Sequence, residues 1–152
     1  MPISPSQNAS AQILLVDDNF LGSAARRSVL EELGHRVITS GTAAEGLELC
    51  GKHRFDIVVT DYKMPKMNGV EFIVRLRKLH PTTGVILISG FADTLGLDEA
   101  STGADIVLQK SNNEVPQLIR AVNRLLRKQQ QPSRKPAASQ PASKTEKRKS
   151  RP

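Results

Sequence analysis

Ile57-Val58-Val59-Thr60-Asp61-Tyr62-Lys63-Met64-Pro65-Lys66-Met67-Asn68-Gly69 is the stretch on which the fold turns. A continuous apolar, β-branched run ends on one carboxylate, and a loop with Pro65 and Gly69 follows at once. Such a run reads as a strand buried on both faces, as in a parallel sheet. In open α/β sheets, ligand chemistry gathers just beyond the carboxyl ends of the strands, which is where Asp61 falls. Pro65 withdraws a backbone N–H, and Asn68-Gly69 supplies turn chemistry and a helix start. Taken alone, Asp61 would be an ordinary carboxylate capping a turn; its interest comes from what converges on it.

Outward from that strand, the chain alternates short apolar runs with amphipathic segments. Ile13 to Val16 is a strand ending on Asp17-Asp18, and Asn19 can cap a helix in which Leu21, Ala24, Ala25, Ser28, Val29 and Leu33 trace one face. Gly34 is the stop signal for that helix. Val37 to Thr39 is a second strand. Thr42-Ala43-Ala44-Glu45 has the form of a capping box, and Ala43, Leu47 and Cys50 form the apolar stripe of a helix that ends at Gly51. After the Ile57 strand, Val70 to Leu79 reads as a helix with Val70, Ile73, Val74 and Leu76 inward, stopped by His80-Pro81. Val85 to Ile88 is a fourth strand, ending on Ser89-Gly90. Between Phe91 and Gly103, Asp93 can cap a helix, but Gly96 and Thr102 keep it short. Ile106 to Leu108 is a fifth strand running into Gln109-Lys110. Ser111-Asn112-Asn113-Glu114 then resembles a second capping box, opening a helix with Val115, Leu118, Ile119, Val122, Leu125 and Leu126 on one face. Pro116 lies in the first turn, where proline is tolerated. Five strands alternating with five helices predict right-handed crossovers and a doubly wound parallel α/β sheet.

With 152 residues the expectation is one domain of residues 12–130, between a flexible N-terminus (1–11) and a tail (131–152). There is no Trp, one Tyr and four Phe, so the core is aliphatic. The single cysteine, Cys50, excludes an internal disulfide and a zinc-site spacing, and its place on an apolar stripe predicts a buried thiol. No run approaches the ~18 apolar residues of a membrane span, and residues 1–12 lack a signal-peptide pattern, so a cytoplasmic protein is expected. The net charge of +7 is unevenly placed: residues 1–119 carry 11 Lys/Arg against 14 Asp/Glu, while residues 132–152 carry seven Lys/Arg against Glu146 alone.

In a parallel sheet the ends of the strands share one edge. That places Asp17 and Asp18, Asp61, Ser89 and Lys110 together. Clustered carboxylates repel unless a cation joins them, and hard oxygen ligands suit Mg²⁺. A carboxylate beside Mg²⁺ can attack phosphorus while the metal and Lys110 neutralise the transferred oxygens.

These residues make the chain resemble the receiver domains of two-component response regulators, over roughly Gln12 to Gln129, and most closely in the loop from Asp61 to Gly69. The resemblance implies a flavodoxin-like five-stranded sheet of order 2-1-3-4-5 and a stand-alone bacterial receiver, a phosphoprotein and not a turnover enzyme. It implies Asp61 as the nucleophile that takes phosphate from a histidine kinase or phosphotransfer protein. It further implies Asp18 as a direct Mg²⁺ ligand, Asp17 as a ligand through water and the Lys63 carbonyl as another. Ser89 corresponds to a switch hydroxyl and Lys110 to its ionic partner. Output would follow from a changed affinity for a partner protein. Two positions depart from the pattern: Val107 stands where the family usually has Phe or Tyr, and Ser111 where Pro often follows the Lys. The chemical residues are intact, but the usual aromatic relay is missing.

The tail of Pro, Ala, Ser, Lys and Arg cannot bury enough surface to offset its ordering entropy and is expected to be disordered. Its charge suits nonspecific contact with nucleic acid or an anionic surface, which gives the alternative reading: a binding protein with the receiver fold as passive scaffold. A P-loop NTPase is excluded because no Gly-rich GK[ST] loop exists. A phosphatase of the haloacid dehalogenase type would want Asp-x-Asp after its first strand, and here Asp17-Asp18 is adjacent.

Overall fold

Alternation along each strand sends successive side chains to opposite faces, and here both faces are apolar. Ile13, Leu15, Ile57, Val59, Ile86 and Ile88 pack on one side with Leu30, Leu118, Val122 and Leu125. Leu14, Val16, Val58, Val85 and Leu87 pack on the other with Cys50, Phe72, Ile73 and Leu76. The computed structural model describes residues 10–90 and 92–130, so the expected tail, 131–152, and nearly all of the expected flexible N-terminus lie outside it. Ala11 belongs to the folded part: it is buried, and its carbonyl accepts the Arg36 N–H at 2.9 Å.

The strands are β1 (Gln12–Val16), β2 (Arg36–Ser40), β3 (Ile57–Asp61), β4 (Gly84–Ser89) and β5 (Ile106–Gln109), all parallel in the order β2-β1-β3-β4-β5. The helices are α1 (Phe20–Glu32), α2 (Ala43–Lys52), α3 (Gly69–Leu79), the one-turn α4 (Ala92–Leu95) and α5 (Glu99–Thr102), and α6 (Glu114–Gln129). The register sets Asp61 opposite Ile88 and Ser89 opposite Gln109, so every polar strand end named above reaches the same edge.

The sequence expectations need several local corrections. The buried face of α1 is Ser23, Arg26 and Leu30, while Leu21 is 78% exposed and Ala24, Ala25 and Ser28 are exposed. Arg26 lies on that buried face with its guanidinium on the carboxylates of Asp17 and Glu114, beside fully buried Leu30. On α3, Phe72 is buried and Val74 is outward. Gly51 does not end α2, which continues to Lys52. The segment up to Gly103 holds two short helices separated by Gly96 at φ 69°, and the second is capped by Asp98; the expected Asp93 cap lies outside the described side chains. Neither Thr42 nor Ser111 closes a reciprocal box. Thr42 accepts the Glu45 N–H, but the Glu45 carboxylate takes the N–H of Gly41. α6 starts at Glu114, whose carboxylate is turned to Arg26.

Candidate functional site

β3 carries Asp61 to its last position, and the loop behind it folds back on the strand end. Gly69 N–H bonds back to the Tyr62 carbonyl at 2.7 Å, folding the loop onto the end of its own strand. A Cβ at Gly69 would collide with the Asp61 carbonyl and come within 2.7 Å of Leu87 Cδ1, so glycine is required by close approach. Asn68 and Glu71 then cap α3 reciprocally, each bond 2.9 Å long. Lys66 sits at φ 71°, a left-handed conformation that costs a non-glycine residue energy.

Asp17, Asp18 and Asp61 each bring a carboxylate oxygen within 4.8 Å of the others. Asp18 is exposed, whereas Asp17 and Asp61 are both 4% exposed. The Lys110 ammonium lies 3.0 Å from Asp61 Oδ1 and donates to Oδ2 at 3.2 Å. Asp61 Oδ1 is buried and, despite that ionic contact, receives no well-directed hydrogen bond. Burial pushes the Asp61 pKa up; the Lys110 hydrogen bond opposes this, the Asp17 charge adds to it, and Lys110 and Arg26 charges oppose it again. Ser89 is buried at the end of β4 beside them, and the Lys110 N–H bonds to its carbonyl at 2.9 Å. A cleft of about 500 Å³ opens over this rim, lined by Asp18, Asn19, Asp61, Lys63, Met64, Pro65 and Lys110.

The donor set fits a hard divalent cation: three clustered carboxylates and one buried carboxylate oxygen without a hydrogen bond. Asp17 is the least available of the three. Its Oδ1 accepts the Asn19 N–H at 2.9 Å and its Oδ2 the Arg26 guanidinium at 2.7 Å.

Sequence reasoning missed Arg26 and Glu114. Arg26 is buried, with Nη1 on Asp17 and Nε 2.6 Å from Glu114 Oε2. Burial pulls its pKa down, but Glu114, then Asp17 and Asp61, outweigh this and leave it raised. An arginine on the inner face of a helix breaks the hydrophobic period, so pattern alone cannot find it. The available signal was a basic pair, Arg26-Arg27, of which one member follows an acidic strand end at helical spacing.

A family model described as the response regulator receiver domain matches residues 13–129. The chain belongs to the response regulator receiver family. Among solved structures, a CheY-like receiver domain protein from Methanospirillum hungatei JF-1 is 28% identical with a TM-score of 0.73, covering 80% of this chain and 98% of that one. The response regulator TrrA from Thermotoga maritima, solved in complex with Mg²⁺-BeF, is 28% identical with a TM-score of 0.69, covering 76% of this chain and 98% of that one. Among curated proteins, the DNA-binding transcriptional regulator NtrC of Azospirillum brasilense is 30% identical over 85% of this chain and 27% of its own length. The virulence sensor protein BvgS of Bordetella bronchiseptica is 33% identical over 64% of this chain. This receiver therefore spans only 8% of the sensor's length and about a quarter of the regulator's. Its fold is that of a signalling domain, and among the described residues no helix is long and apolar enough to cross a membrane.

Proposed function

We propose that this receiver is a phosphoacceptor switch: Asp61 takes a phosphoryl group from a histidine kinase or phosphotransfer protein, and the phosphorylated form binds a partner protein with altered affinity. The observation that carries this reading is the Asp61 carboxylate itself, buried at the end of β3 between Lys110 and two further carboxylates.

Asp18 and Asp61 would hold Mg²⁺ directly, Asp17 through water, and the Lys63 carbonyl from the loop. The metal would supply positive charge to the oxygens of the phosphoryl group in transfer. An oxygen of Asp61 attacks phosphorus as the bond to the donor nitrogen breaks, and the electron pair leaves with the imidazole. Burial favours this, because an incompletely hydrogen-bonded carboxylate sheds little solvation before it reacts. Lys110, already at Asp61, is placed to follow the charge onto the phosphoryl oxygens. The Ser89 hydroxyl then hydrogen-bonds the product from the next strand end. The acyl phosphate stays on the chain, so the protein assists its own phosphorylation and dephosphorylation and turns over no separate substrate. A cytoplasmic setting accompanies this reading, since that is where kinases draw on ATP.

Intact-mass measurement after incubation with acetyl phosphate or phosphoramidate tests the reading. One phosphoryl group is expected with Mg²⁺ and none with a chelator. Uptake indifferent to Mg²⁺ would defeat it.

A further inference from the structure

The Arg26 bridge is not used by the chemistry just described. Its guanidinium connects two places: Nη1 holds Asp17 Oδ2 at 2.7 Å at the end of β1, and Nε holds Glu114 Oε2 at 2.6 Å at the first residue of α6. The Arg26 and Asp17 side chains are 6% and 2% exposed, and that of Glu114 is 17% exposed, so water screens these contacts little. Asn113 makes no side-chain cap at the start of α6, which leaves Glu114 as the acidic group in the first turn. The Arg26 bridge thus connects the acidic rim directly to the start of α6.

We propose that Arg26 is a positioning residue coupling cation loading of the acidic rim to the start of α6, an inference that rests on the phosphoacceptor reading. Arg26 is a fixed cation beside Asp17. It competes with Mg²⁺ for the same negative field, and it occupies Asp17 Oδ2. Glu114 draws part of that positive charge away. Arg26 thus weakens the hold on Mg²⁺, and Glu114 restores it. Coupling between sites is reciprocal, so a loaded rim must change the Arg26–Glu114 contact as well. Any signal carried this way arrives at the N-terminal turn of α6, the helix that bears Arg120, Arg124 and Arg127.

The test is Mg²⁺ titration of the full chain, read by the fluorescence of Tyr62, the sole tyrosine, which adjoins Asp61 in a chain without Trp. Arg26→Met should tighten Mg²⁺ binding by about tenfold, and Glu114→Gln should weaken it by roughly threefold or more. In the double variant the Glu114→Gln effect should vanish. A merely structural bridge would move both single variants toward weaker binding, and that result overturns the proposal. So does a Glu114→Gln shift that persists without Arg26. Should Arg26→Met fail to fold, Arg26→Lys keeps the cation but not the two-armed fork. The Glu114→Gln shift must then shrink, and an undiminished shift overturns the coupling. A wild-type chain that binds no Mg²⁺ overturns the phosphoacceptor reading and the coupling together. Binding and phosphoryl uptake with the wrong signs overturn the coupling alone.

Discussion

Both edges of the sheet carry aspartates, and the two sets are used in opposite ways. At the amino-terminal edge Asp56 and Asp105 each stand one residue before a strand and each accept a neighbouring backbone donor: Asp56 from Gln12 N–H and Asp105 from Val85 N–H, both at 2.8 Å. Asp105 also pairs with Arg77 at 3.1 Å, and the ring of buried His35 accepts the Ala11 N–H at 3.1 Å. These acceptors each precede a different strand and finish the backbone's hydrogen bonding. At the carboxyl-terminal edge three carboxylates crowd within 4.8 Å, and two of them are held by cations, Arg26 and Lys110. One edge uses carboxylates to complete the fold. The other concentrates negative charge, which on the proposed reading serves a metal and a phosphoryl group.

The largest effect that would sharpen this contrast is expected at Asp61. Asp61→Asn should reduce phosphoryl uptake to background, because an amide is a poor nucleophile and brings no charge. The same substitution should raise stability by about 1 kcal/mol at neutral pH without metal, since it removes a buried charge from a crowded rim. Chemical denaturation checks the second half, and an unchanged or lowered midpoint would show that the rim is not strained. Next, Gly69→Ala should cost about 3 kcal/mol, because the added methyl meets the Asp61 backbone, which cannot yield as a side chain could. Uptake should fall with it, as Asp61 is displaced. Asp105→Ala at the other edge should cost about 2 kcal/mol by stranding the Val85 N–H, while Arg77 keeps the carbonyls of Pro81, Thr83 and Gly103, yet leave uptake intact in the fraction that remains folded. Lost uptake in a folded Asp105→Ala protein would break the division between the edges.

The smallest effects are slopes of stability against pH, and they have opposite signs at the two edges. The His35 pKa is lowered from 6.5 by burial, with Asp56 pulling weakly the other way. Its stabilising contribution is therefore complete above 6.5 and is lost as pH falls through the lowered value, because the unfolded chain binds the proton first. The Asp61 pKa is raised above 3.8, so its contribution is complete below 3.8 and is lost as pH rises through the raised value. Denaturation midpoints across this range should lose the first slope in His35→Asn, which can still accept from Ala11, and the second in Asp61→Asn.

Much of this was legible in the residues. All five strands showed as short apolar runs, and a parallel sheet then had to bring Asp17, Asp18, Asp61, Ser89 and Lys110 to one edge. The short Val37-Ile38-Thr39 run gave only the middle of β2, since Arg36 and Ser40 look like loop residues until pairing with β1 is known. α1 was misread because its buried face carries an ion-paired arginine. Period counting assigns Leu21 inward and Arg26 outward, whereas Leu21 is exposed and Arg26 is buried on Asp17 and Glu114. Glu114, held on Arg26, does not close the expected capping box. Phe72 was missed because its neighbours Ile73 and Val74 suggested a slightly rotated stripe. Cys50 was read correctly from its place on the apolar stripe of α2, and burial holds its thiol up at about 11.

The most direct test of the central claim is to identify the residue that carries the phosphoryl group. The chain is loaded with acetyl phosphate and Mg²⁺, treated with borohydride, which reduces an acyl phosphate to the alcohol, and then sequenced. The account predicts homoserine at position 61 alone, and only when Mg²⁺ was present. Reduction at position 17 or 18, or at position 61 regardless of the metal, would contradict it.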